Sequence, residues 1–239
     1  GLEVILTGKY IHISMENFIV KMMADLAKLG LHPLKREVSV PITQAIDPDS
    51  PPLSPKEVHA FLSGNGCVAW CANTLRPDVA YAFSRIGQHS SHPTASALEA
   101  LTRAVSYLFQ HKDLCLNQKL FMDDKDLTDK GPDFKFFAQQ NANLDEIFTF
   151  YSDTDHAGNA EPQNRRRSQN GFAAFTCDAL VAWHSKVSSV AFATPLIGVA
   201  HADFSSGAVE IYGTSNATCA LLNLNYAYEE AGMCFPKPF

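Results

Sequence analysis

Two carboxylates set two residues apart, Asp153 and Asp155, close the stretch Phe148-Thr149-Phe150-Tyr151-Ser152-Asp153-Thr154-Asp155. His156, Ala157, Gly158 and Asn159 follow. The alternating aromatic residues predict a strand that buries one face. On an ideal strand, residues two apart share a face, so Asp153 and Asp155 project together. An acidic pair at the end of a half-buried strand is costly unless a cation answers it. Hard divalent ions such as Mg²⁺ or Mn²⁺ favour carboxylate oxygens in such a place. The plainer reading is a strand that runs into an Asp/Gly turn, where an Asp side chain accepts from nearby backbone. Read alone, this stretch leaves both open.

The elements around the pair narrow the choice. Arg165-Arg166-Arg167-Ser168-Gln169-Asn170-Gly171-Phe172 comes next, then Val181-Ala182-Trp183-His184-Ser185-Lys186, then Ser205-Ser206-Gly207-Ala208-Val209-Glu210-Ile211-Tyr212. Periodicity predicts strands over 147–153, 171–176 and 180–185, and a helix over 206–231. The three arginines fall between the first two strands, where they are either phosphate contacts or a solvated loop. Glu210 taken alone reads as an ordinary helix acid.

The order of these four motifs resembles the ribonuclease H domain of Ty1/copia retrotransposon Pol polyproteins. The family runs roughly YSDADWAG, RRSTSGY, ISWKSK and SSTEAEY; this chain has YSDTDHAG, RRSQNGF, VAWHSK and SSGAVEIY. Leu75-Arg76-Pro77-Asp78-Val79-Ala80-Tyr81-Ala82 is similar to the family's TRPDIAYA segment, and Pro93-Thr94 and Tyr107-Leu108 sit like two further family elements. Gly1-Leu2-Glu3-Val4 resembles the strand just past the reverse-transcriptase palm. The likeness is weakest over 112–145.

That resemblance implies an α+β fold: a small helical subdomain, then a partial ribonuclease H-like domain with an antiparallel three-stranded sheet and one helix. It implies three regions. Residues 1–53 hold post-palm strands, a helix and a connector; 54–145 hold the helical thumb/connection region and an acidic linker; 146–239 hold the partial ribonuclease H-like domain. It implies Asp153 and Glu210 as catalytic, metal-holding acids, with Asp155 as a further candidate ligand. Arg165, Arg166 and Arg167 become candidate nucleic-acid contacts. The expected substrate of the parent is an RNA–DNA hybrid, cut by two-metal chemistry.

Departures accompany the likeness. His156 replaces the family Trp, and Ala208 replaces the first acid of the last motif. An insertion is expected over Thr194 to Phe204. No further acidic strand motif follows before Phe239, so the chain alone is expected to bind Mg²⁺ or Mn²⁺ weakly and to be inactive alone. The alternative is a retrotransposon-derived, non-catalytic interaction subunit, with a protein partner along an open sheet edge.

Composition sets the remaining bounds. The 239 residues are 46% hydrophobic and 18% charged, an ordinary globular balance. A net charge of −6 argues against a self-sufficient nucleic-acid binder. No apolar run is long enough for a membrane span, so no membrane association is expected. Cys67, Cys71, Cys115, Cys177, Cys219 and Cys234 are scattered, which fits reduced thiols in an intracellular protein better than a zinc site. Because the chain opens on Gly1, it is expected to be a piece of a longer product.

Upstream, alternation over 1–13 predicts two short strands around Gly8. Ser14 is expected to cap a helix that runs to Gly30, with Phe18, Met22, Leu26 and Leu29 on one face. Residues 31–53 read as an extended connector. Ser54-Pro55-Lys56-Glu57 is a capping box with Pro in the first turn. The helix it starts carries Val58, Phe61, Leu62, Val68, Ala69 and Trp70, with Gly64 and Gly66 weakening its middle. Further helices are expected after Pro77, with Val79, Phe83 and Ile86 inward, and over Ala97–Gln110, with Leu98, Leu101, Val105 and Leu108 inward. The acidic stretch 112–145 reads as a surface linker or hairpin.

Overall fold

A computed structural model describes residues 1–7, 10–43, 45–119, 148–155, 168–176, 179–187, 214–215, 217–223, 226–227 and 230. The fold is α+β, with two antiparallel three-stranded sheets. The element order is β1 (Glu3–Thr7), β2 (Tyr10–Ser14), α1 (Glu16–Lys28), α2 (Pro55–Thr74), a 3₁₀ turn (Pro77–Val79), α3 (Ala80–Gly87) and α4 (Ala95–Gln110). Then follow β3 (Leu116–Lys119), β4 (Phe148–Asp155), β5 (Gln169–Thr176) and β6 (Ala179–Val187). One sheet runs β1-β2-β3 and the other β4-β5-β6. By contacts the chain divides into two units. One comprises Gly1–Ile5, His12–Asn117 and His184–Val187; the other comprises Leu6–Ile11, Gln118–Trp183 and Ser188–Phe239.

The first unit is organised by a helical core. Ile19, Met22, Met23 and Leu26 of α1 meet Phe61, Val68 and Cys71 of α2 and Leu101, Val105 and Leu108 of α4 in one cluster. Burying each large side chain contributes about 1.5–3 kcal/mol, so this cluster dominates the unit's stability. α1 is shorter than expected. It begins at Glu16 with Met15 in the cap position, and Ser14 Oγ accepts from Glu16 N at 3.2 Å instead of closing a cap over the next turn. Its end is a Schellman motif: Gly30, at φ 92°, lets Gly30 N reach Ala27 O and Leu31 N reach Leu26 O, both at 3.0 Å.

α2 starts as the capping box requires. Ser54 Oγ accepts from Glu57 N at 3.4 Å, and Glu57 Oε2 accepts from Ser54 N at 2.9 Å. The Ser54 hydroxyl and amide hold the Glu57 carboxyl below its usual range. The two glycines expected to weaken its middle do not interrupt the helix, which runs unbroken to Thr74. Gly64 is the point of close approach: a Cβ there would lie 3.0 Å from Leu101 Cδ2 and 3.3 Å from Leu31 Cδ1. The buried face therefore shifts to Ala60, Phe61, Gly64, Val68, Cys71 and Ala72. Leu62 and Trp70, grouped with the apolar residues of this helix from sequence, are exposed instead.

The connector over 31–53 is anchored, not loose. Leu31, Val38 and Ile46 are buried in the core. Gln110 of α4 accepts from Val38 N at 2.8 Å through Oε1 and donates to Leu34 O and Arg36 O through Nε2. Ser106 Oγ accepts from Leu34 N at 2.9 Å, and Arg103 Nε donates to Val40 O at 3.0 Å. Thr94 caps α4 by accepting from Ala97 N at 3.4 Å. β3 lies inside the stretch read from sequence as a linker. Asp123, Asp124, Asp126, Asp129 and Asp133 fall outside the described residues.

Candidate functional site

The acidic pair sits where the aromatic alternation of β4 places it. β4 and β5 pair antiparallel, with Tyr151 opposite Ala173, Asp153 opposite Gly171 and Asp155 opposite Gln169. Directly paired residues share a face, so Tyr151, Asp153 and Asp155 line one side of the ribbon. That side is open to water: Tyr151, Asp153 and Asp155 are all exposed. Gly171, opposite Asp153, brings no side chain to the register position beside it.

The opposite face of the same ribbon is mixed: it carries Phe150, Phe172 and Ala174, with Ser152, Thr154 and Asn170 toward the acidic end. Phe150 and Phe172 stack with centroids 5.6 Å apart, and Ala174 is buried. These contacts hold the strands in a register that a one-residue slip would reverse, moving the carboxylates to the side of the Phe150–Phe172 stack. Asp153 Oδ1 also accepts from Thr154 N at 2.9 Å. The plainer reading of an Asp that serves nearby backbone is thus realised in part. The contact occupies one acceptor position of a carboxylate that has about four.

The donor set suits a hard cation: both candidates are carboxylates on one exposed face, without sulfur or imidazole between them. Among the described residues no three His, Cys, Asp or Glu side chains come together as a metal cluster. Glu210 and Arg165, Arg166 and Arg167 lie outside the described residues. The expected helix over 206–231 is helical at residues 214–215, 217–223, 226–227 and 230. β6, which carries Val181 to Lys186, lies beside β5. On β6, partial desolvation and the neighbouring Lys186 charge push the His184 imidazole below its usual range, although the residue as a whole is exposed.

A second constellation was visible in the sequence only as a helix start. Arg76 is the largest fully buried side chain among the described residues. Its Nε donates to Asp78 Oδ1 at 2.9 Å and its Nη2 to Asp78 Oδ2 at 2.6 Å. Its Nη1 donates to His111 O at 2.8 Å, and the guanidinium lies 5.8 Å from the Tyr107 ring centroid. This fork joins the turn before α3 to the end of α4. The sequence signal was an Arg two residues ahead of an Asp with Pro between, which fixes the turn that lets the two side chains pair. Nearby, burial pushes the Cys71 thiol up to about 12, against the opposing pull of the Arg76 charge.

The chain is 27% identical over 109 residues to a transposon Ty5-1 protein of Saccharomyces cerevisiae. The match covers 46% of this chain and 34% of that protein, so the chain spans about a third of its relative's length. This likeness supports a retrotransposon-related origin. No family model matches the chain, and no solved structure matches it.

Proposed function

We propose that the chain is part of a copia-type retrotransposon Pol protein, comprising the thumb/connection region and part of a ribonuclease H domain that hydrolyses the RNA strand of RNA–DNA hybrids. The observation that carries this reading is the register of β4 on β5. It sets Asp153 and Asp155 side by side on an exposed face at the end of a strand whose other face carries the Phe150–Phe172 stack. The likeness to a transposon protein supports the same direction.

In this reading Asp153 and Glu210 would hold Mg²⁺ or Mn²⁺, with Asp155 as a further ligand. When bound, such ions supply an activated water and compensate charge on the leaving oxygen. The residues' own work is to hold that charge on an exposed face, and Gly171 brings no side chain to the position facing Asp153. Arg165, Arg166 and Arg167 would contact phosphates, which makes binding salt-dependent.

The test is hydrolysis of a labelled RNA–DNA hybrid in Mg²⁺ by the protein that carries this chain. Asp153→Asn and Glu210→Gln, which keep size and remove charge, are expected to lower the rate at least ~100-fold with folding intact. The same variants should weaken Mn²⁺ binding read by electron paramagnetic resonance. Cleavage undiminished by Asp153→Asn would overturn the assignment of the first acid. Residues 1–239 alone should bind Mg²⁺ weakly, because two or three carboxylates leave most ligand positions to water.

A further inference from the structure

We draw no further inference here: the strongest candidate, the exposed face of α2 shared by Leu62, Gly66 and Trp70, is an unpartnered apolar stripe, and nothing in the structure shows what covers it.

Discussion

Arg76 shows how one residue can decide a local fold. A buried guanidinium is tolerable only while its charge and donors are answered, and Asp78 answers both with two short contacts. Asp78→Ala is expected to cost about 2–3 kcal/mol, less than a fully buried pair, because the Asp78 side chain keeps 28% of its exposure. Adding Arg76→Met should recover part of that loss, since the stranded charge is then gone. Urea midpoints of the single and double variants decide it; a single-variant loss under about 0.5 kcal/mol would show the pair to be ornamental. The neighbouring thiols give a second test. Cys71 is fully buried with its thiol pushed up to about 12, whereas Cys219 is exposed. Thiolate is the reactive form, so native protein at pH 8 should alkylate at Cys219 and leave Cys71 unmodified until it unfolds. Mass spectrometry after iodoacetamide reads this directly, and equal labelling of the two would contradict the packing of α2. Asp153 and Asp155 were legible as a pair because their spacing and the aromatic alternation carry the period of a strand. The Arg76 fork was not, since its partners Tyr107 and His111 come from a helix some thirty residues on.

The two glycines of α2 make opposite predictions from the same residue type. Gly66 faces open space, with nothing within 4 Å of where a Cβ would sit. Gly66→Ala should therefore raise stability by up to about 1 kcal/mol, through helix propensity and lost unfolded-state freedom. Gly64 touches Leu101 and Leu31, so Gly64→Val is expected to lower stability by about 1–3 kcal/mol by forcing α2 from α4. Thermal melts of the two variants against the parent chain settle both signs, and a destabilised Gly66→Ala would mean that this face is not free. At this scale the sequence told helices from strands well. The capping box fixed the start of α2, and apolar spacing located α4, β4 and β5. It did not tell which face of α2 turns inward, because Leu62 and Trp70 look as apolar as Phe61 and Val68. The choice was made by close approach at Gly64, a matter of backbone distance that residue type does not encode. The strapped connector was hidden for a similar reason. Its hold comes from the polar side chains Arg103, Ser106 and Gln110 on α4, which a hydrophobic pattern counts as solvent-facing.

At the scale of the whole chain, the resemblance by motif order reaches further than the packing does. It links Asp153 to Glu210 across more than fifty residues of sequence, whereas the described residues bring only Asp153 and Asp155 to one face. A two-metal centre is a long-range property, and only the order of motifs hints at it in a linear text. The interaction-subunit alternative rests on the edge strands: β4 and β6 bound their sheet among the described residues, and an uncovered edge invites a further strand. Among the described residues the helical core, by contrast, is self-contained. Every described buried residue of its cluster lies between Met15 and Leu108, and the described partly buried residues packed on it run from Ile13 to Leu116. The Arg76 fork, the strapped connector and the Lys112–Glu16 ion pair close within the same span. A fragment of residues 1–119 keeps all of these together with β1, β2 and β3. It loses only His184–Val187 from the unit, none of which belongs to the core cluster. We therefore expect residues 1–119 to fold alone, with a helical far-ultraviolet spectrum and a single cooperative transition in urea. Phe61→Ala in that fragment should cost about 3–5 kcal/mol, whereas Trp70→Ala should cost little, because Phe61 is fully buried and Trp70 is 52% exposed. A fragment that keeps helical signal but melts without cooperativity would mean that the core depends on residues beyond 119.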